Sequence, residues 1–244
     1  MTPAYAGVTE VLRVAGLHAG YGAGDILKGI DVALEKGRIL TMIGPNGSGK
    51  STFIKTLAGL LPARQGTIEL EGERLNDLSP PRRVRAGVAY VPQEYNVFRN
   101  LTVLENLKIA REFMGANGSG PGLAEGLFPE LRSHYKKQAG NLSGGQRQML
   151  AFACALAVRP KVLMLDEPSA GLSPLLMSAV FDKVKKVNAM GVSVLMVEQN
   201  AREALRISDT CIVLAGGRVR SCGPADAVLG MKDLNSLYLG ADVL

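Results

Sequence analysis

The chain lacks any apolar run long enough to cross a bilayer. Its longest, residues 149–158, is about half of the roughly 20 residues that a spanning helix needs, so it reads as a core helix. The opening MTPAYAGVTE has no basic stretch followed by an apolar one, so it does not read as a signal peptide. Cysteine is scarce. Cys154, Cys211 and Cys222 make an odd count without C-x-x-C spacing, which argues against a zinc or disulfide framework and fits a reducing cytosol. His18 and His134 lie near no other ligand type at metal spacing. There is no internal repeat, heptad run or long low-complexity segment, and 29 Gly with 12 Pro is too few for a collagen-like or disordered chain.

What is present is a chain of 244 residues with 47% hydrophobic side chains, enough for one domain or a domain with a subdomain. The formal charge is +6, from 28 Lys and Arg against 22 Asp and Glu. That balance suits an anionic partner, whether nucleotide phosphates, nucleic acid or an anionic membrane, without choosing among them. The basic run Arg82-Arg83 with Arg85 reads as a solvated loop face.

Residues 11–15 and 30–34 mix apolar and polar positions between turn-forming residues and read as strands. Residues 38–43 form a short apolar run that ends in a Gly-rich loop, followed by a helical stretch over 50–60. Short strands are expected at 68–70 and 88–91, and a helical subdomain over roughly 95–150, interrupted by a turn at 117–122. Residues 161–165 and 192–197 are continuous apolar runs, as in central parallel strands covered on both faces. Residues 175–190 carry helical spacing between them. Gly216-Gly217 separates two short strands, 211–214 and 218–221, as a hairpin would. The strand–helix alternation after residue 155 predicts an α/β fold. For residues 232–244 the pattern leaves docking and fraying equally open.

Three segments carry chemistry. The first, Gly44-Pro45-Asn46-Gly47-Ser48-Gly49-Lys50-Ser51, fits G-x-x-x-x-G-K-[ST] in full, after an apolar strand and before a helix. Glycines there let backbone N–H groups turn inward, and with the helix N-terminus they bind phosphate oxygens. Lys50 is the candidate partner of the β and γ phosphates. Ser51 is a candidate Mg²⁺ ligand, with Thr52 beside it. The second segment is an apolar strand that ends in Asp166-Glu167, delivering two carboxylates at the sheet edge where ligands of open α/β sheets sit. Asp166 is placed to hold Mg²⁺, and Glu167 to polarise an attacking water. The third, Leu142-Ser143-Gly144-Gly145-Gln146, opens a helix with Ser143 at the cap position; the bare pattern fits an ordinary capped helix first and a second anion-binding helix start as the alternative.

Taken together, the phosphate loop, the LSGGQ string and VLMLDEP resemble the ATP-binding cassette family. The resemblance implies an α/β fold: a P-loop nucleotide-binding domain spanning residues 1–244, with a mixed-sheet core, an N-terminal antiparallel β subdomain and an inserted helical subdomain. It implies ATP and Mg²⁺ as cofactors. It implies that Ser143, Gly144, Gly145 and Gln146 contact ATP held by a second, facing cassette. Tyr21 matches the family's adenine-stacking aromatic, and Gln93 its Mg²⁺- and water-reaching glutamine. Two positions depart from the pattern. Ser173 stands where many members have aspartate, and Gln199 where most have a histidine that contacts the γ-phosphate. Glutamine donates a hydrogen bond there but cannot carry a proton as imidazolium does.

The string Val197-Glu198-Gln199-Asn200, with residues 90–98, 101–107, 127–131 and 168–174, is similar to the shorter ATPase of branched-chain amino-acid importers. Urea or short-amide importers and lipid or lipopolysaccharide exporters are the related alternatives. This resemblance implies a second ATPase subunit, identical or different, two membrane permease subunits and an extracytoplasmic solute-binding protein. It implies a cytoplasmic location on the inner face of the plasma membrane. Nucleic acid is not an expected partner, because ABC ATPases of repair or translation carry two cassettes or a long coiled-coil insertion, and this chain carries neither.

Overall fold

A computed structural model describes residues 9–94, 96–113 and 126–230. The turn expected at 117–122 and the segment 232–244 lie outside the described residues.

Two sheets organise the fold. Strands β1 (Glu10–Ala19), β2 (Leu27–Glu35), β4 (Gln65–Leu70) and β5 (Glu73–Arg74) form an antiparallel sheet in the order β2-β1-β4-β5. The second sheet runs β10-β9-β3-β8-β7-β6, from β3 (Ile39–Ile43), β6 (Val88–Val91), β7 (Val162–Asp166), β8 (Ser193–Glu198), β9 (Thr210–Ala215) and β10 (Arg218–Pro224). Its five strands β9, β3, β8, β7 and β6 are parallel, and β10 returns antiparallel to β9 as the Gly-Gly hairpin predicted. The expected mixed sheet and N-terminal antiparallel subdomain are both present.

The continuous apolar runs have a direct explanation. Successive side chains of β7 and β8 point to opposite faces, and both faces are covered. Val162, Met164, Leu195 and Val197 join the core beneath the antiparallel sheet and helix α1 (Lys50–Leu57). Leu163, Leu165, Val194 and Met196 join a second core. Helices α3 (Val103–Glu112), α4 (Gly144–Ala157) and α5 (Pro174–Ala189) close that second core, and the apolar stretch 149–158 lies within and just past α4, buried as expected. Short helices α6 (Ala201–Leu205) and α7 (Ala225–Leu229) pack on β9 and the end of β3. No helix among the described residues is long and apolar enough to cross a membrane.

The reading of Arg82, Arg83 and Arg85 as a solvated loop face is corrected by helix α2 (Pro80–Ala86). Arg82 and Arg85 are exposed, but Arg83 is 2% exposed. Its guanidinium donates to the carbonyls of Thr56 (2.7 Å), Leu57 (2.8 Å), Leu78 (3.0 Å) and Asn76 (3.1 Å). Two of those carbonyls belong to the last turn of α1, where backbone acceptors lack helical partners and a cation meets the negative end of the dipole. Pro80 and Pro81 at the start of α2 are the helix signal in this stretch, since proline suits the first helical turn.

Candidate functional site

Parallel strands β3, β6, β7 and β8 all end at one sheet edge, so everything that follows them converges there. The phosphate loop follows β3, Gln93 follows β6, Glu167 follows β7 and Gln199 follows β8. The sequence separates these residues widely; the register of the sheet unites them.

The loop 44–51 wraps tightly before α1. Gly49 caps the helix at φ 110°, and a Cβ there would stand 2.9 Å from Leu27 Cδ2. At Gly44 a Cβ would lie 2.2 Å from the Leu214 carbonyl oxygen. Both positions therefore demand glycine. The cavity beside the loop holds about 170 Å³ and is lined by Ile26, residues 46–52 and Glu167. Ser48 Oγ is buried without a hydrogen-bond partner. Lys50, 4% exposed, donates its ammonium to the carbonyls of Gly44 (2.8 Å) and Pro45 (3.3 Å) and stands 3.9 Å from Glu167 Oε1. Burial pulls the Lys50 pKa below its ordinary value, opposed by Glu167 and then Asp166. An anion against this ammonium would oppose that penalty further.

Asp166, 4% exposed, accepts from Ser51 Oγ (3.3 Å) and from Tyr90 Oη (3.1 Å), one on each carboxylate oxygen. Burial holds its carboxyl above the ordinary aspartate range, against the pull of Tyr90, Lys55, Ser51 and Lys50. Burial, then Asp166, push the Tyr90 phenol upward, so Tyr90 serves as a neutral donor. Ser51 and Asp166 supply oxygen donors of the kind that Mg²⁺ takes. The orphaned Ser48 hydroxyl and the glycine-only loop fit phosphate oxygens. The residues present therefore suit a magnesium nucleotide.

Glu167 adopts φ 46°, a left-handed conformation rare outside glycine, with its N–H held by the Val197 carbonyl (2.9 Å). Such strain costs about 1–3 kcal/mol and persists where the surroundings impose it, typically at functional sites. The result aims Glu167 at Lys50. Glu167 also lines a second cavity of about 350 Å³ with Gln93, Asn96, Gly144, Arg147 and Gln148. Gln93 is exposed on that cavity, so the two sequence-predicted water-handling residues share one space.

Tyr21 is 54% exposed on the turn between β1 and β2 and does not line the phosphate cavity. Arg64 fastens its turn. Its guanidinium donates to Asp25 Oδ1 (2.7 Å) and to the carbonyls of Gly20 (3.3 Å), Ala23 (3.3 Å) and Gly22. Sequence reasoning missed Arg64, Tyr90 and Glu198. The last stands within the Val197-Glu198-Gln199-Asn200 string, where nothing in the sequence gives it a role of its own.

The signature segment forms a reciprocal cap. Gln146 N–H donates to Ser143 Oγ (3.3 Å), and Ser143 N–H donates to Gln146 Oε1 (3.0 Å). Gln146 Nε2 stands 3.0 Å from His134 Nε2, so the histidine that had no expected partner orients the signature glutamine. None of Ser143, Gly144, Gly145 and Gln146 lines the cavity of this chain's own phosphate loop.

Gln199 is exposed just beyond β8, with its N–H on Glu198 Oε2 (3.1 Å). Ser173 caps α5 without a side-chain hydrogen bond to that helix.

The chain is similar to known proteins over nearly its whole length. It is 43% identical over 94% of its residues to the probable branched-chain amino acid transport ATP-binding protein LivF of Archaeoglobus fulgidus, covering 99% of that protein. It is 40% identical over 90% of its residues to the high-affinity branched-chain amino acid transport ATP-binding protein BraG of Pseudomonas aeruginosa, covering 95% of it. A solved ATP-binding cassette of an ABC transporter, in its ADP conformation, superposes with a TM-score of 0.82 at 28% identity, over 95% of this chain and 99% of that one. The ABC transporter family profile matches residues 27–170, more than half of the chain, and the chain belongs to that family as one of its ATPase cassettes.

Proposed function

We propose that this ATPase powers uptake of branched-chain or other hydrophobic amino acids through separate permease subunits, from the cytoplasmic face of the membrane. The observation that carries the solute class is the identity to LivF and BraG across almost the entire chain, because both are named for branched-chain amino acid transport.

The site supports the following division of work. Backbone N–H groups of residues 44–51 and the start of α1 receive the phosphates. Lys50 leaves the Gly44 carbonyl for the β and γ phosphate oxygens, and Thr52 lies in the same turn. Ser51, Asp166 and Gln93 hold Mg²⁺, which when bound neutralises phosphate charge. Tyr21 stacks on adenine at the rim. Glu167, aimed by its strained backbone, orients and polarises the attacking water. Gln199 reaches the γ-phosphate as a hydrogen-bond donor, without the proton chemistry of histidine. Ser143, Gly144, Gly145 and Gln146, standing away from this chain's own loop, complete the site of a facing ATPase subunit. The remaining partners are two permeases and an extracytoplasmic solute-binding protein.

The test is reconstitution with the permeases and binding protein in vesicles, following ATP-driven leucine accumulation. Glu167→Gln should lower uptake and turnover but leave the partner site active, whereas Gln146→Ala should depress the partner site. Leucine accumulation no greater than that of an unrelated hydrophilic solute would refute the solute class. Complete loss of ATP turnover on Glu167→Gln, with no effect of Gln146→Ala, would refute the division of labour.

A further inference from the structure

Glu198 is a buried carboxylate that the proposed mechanism does not use. It ends β8 at 1% exposure, and no cation lies within ion-pair distance of it among the described residues. Its oxygens are divided between two loops. Oε1 accepts the Ser169 N–H (2.9 Å), two residues past Glu167. Oε2 accepts the N–H groups of Gln199 (3.1 Å) and Asn200 (3.3 Å). A second bridge runs beside it, from Asn200 Nδ2 to Ser169 Oγ at 2.8 Å, and Ser169 itself is fully buried. An isolated buried carboxylate is costly, and what offsets the cost here is three backbone donors drawn from both loops.

We infer that Glu198 is a positioning residue that locks the loop carrying Glu167 to the loop carrying Gln199, so that both move as one unit against the γ-phosphate. The inference rests on the ATPase reading of this site. The Glu167 peptide already hangs on the Val197 carbonyl, and the Glu198 carboxylate extends that attachment two residues further along each chain. Lys50 feels the Glu198 charge as well, after those of Glu167 and Asp166, so the latch also contributes to the field around the phosphate-binding ammonium.

Glutamine is the discriminating replacement. It keeps the volume of Glu198 but offers one acceptor oxygen. The amide keeps that oxygen on the two N–H groups of Gln199 and Asn200, leaving its NH₂ opposed to the Ser169 N–H. Glu198→Gln therefore breaks the carboxylate half of the latch without opening a cavity, and Asn200→Ala breaks the amide half. The experiment measures steady-state ATPase kinetics in the transporter assembled with the facing ATPase subunit and permeases, and fluorescent-nucleotide affinity and thermal midpoint on the purified full chain, for the parent and for Glu198→Gln, Asn200→Ala and the double variant. The expected result is kcat reduced about tenfold in Glu198→Gln and about threefold in Asn200→Ala, with KM and nucleotide affinity within about threefold of the parent. The double variant should fall short of the product of the two single effects, because both break one latch. Unchanged kcat in Glu198→Gln, or KM rising in step with any loss, overturns the inference. Should Glu198→Gln melt too early to assay, Asn200→Ala decides alone: a kcat equal to the parent's overturns it. An assembled transporter that binds but never hydrolyses nucleotide would instead strike the ATPase reading.

Discussion

Replacing Arg83 by methionine removes a buried cation that holds four carbonyl oxygens, and its effect can be worked from the structure. The Thr56 carbonyl keeps a second donor, the Gly59 N–H at 3.1 Å. Those of Leu57, Leu78 and Asn76 depend on the guanidinium. Leaving a buried acceptor unpaired costs about 1–3 kcal/mol, and the buried Leu57 carbonyl with the half-buried Leu78 and Asn76 carbonyls, which water reaches in part, gives about 2–3 kcal/mol together. Methionine retains the apolar stem, and relief of the buried charge returns part of that loss. Burial does pull the Arg83 pKa below its ordinary value, so that relief is real. The expected net loss is about 2 kcal/mol, or a thermal midpoint lower by roughly 4–8 °C for a chain of this length. Arg82→Met, on the exposed face of the same helix, should stay within about 0.5 kcal/mol of the parent. Differential scanning calorimetry of both variants checks the pair. An Arg83→Met midpoint within 2 °C of the parent by that 2–4 °C per kcal/mol scale would refute the reasoning.

Arg64→Met should loosen the turn that carries Tyr21, weakening ATP binding several-fold while leaving affinity for tripolyphosphate, which has no base, unchanged; titration calorimetry with both ligands reads the difference. On the opposite edge, Glu71 accepts Lys161 at 2.7 Å and Lys36 at 3.4 Å. The Lys161 bond, then the other contacts, hold its carboxyl below the ordinary value of 4.5. A carboxylate depressed on folding stabilises above its unfolded pKa and loses that contribution as pH falls through the folded value. The stability gap between parent and Glu71→Gln should therefore stay constant from pH 7 to about 5 and close only below about 4 in urea titrations. A gap that closes between pH 7 and 6 would assign it to another group.

The sequence disclosed what local pattern can encode. The phosphate loop is eight consecutive residues, and Asp166-Glu167 end an apolar run whose burial on both faces follows from that run. The signature cap was readable from Ser143 and Gln146 three positions apart. What stayed hidden depends on contacts across the fold. Tyr90 reaches Asp166 over 76 positions, Glu198 reaches Ser169 over 29, and Arg83 reaches Leu57 over 26. Arg83 also misled through composition, because a cluster of arginines after prolines looks solvated until the C-terminal carbonyls of α1 are brought beneath it. His134 was similarly opaque. It shares no metal spacing with any neighbour, and its partner is an amide.

The account stands on a triphosphate held by residues 44–51. Titration of magnesium-ATP into the parent and into Lys50→Ala tests that most directly. A buried charge-assisted contact is worth about 1.5–3 kcal/mol, so the variant should bind roughly ten- to hundredfold more weakly. Equal affinity in the two proteins, or no measurable binding in the parent, would contradict it.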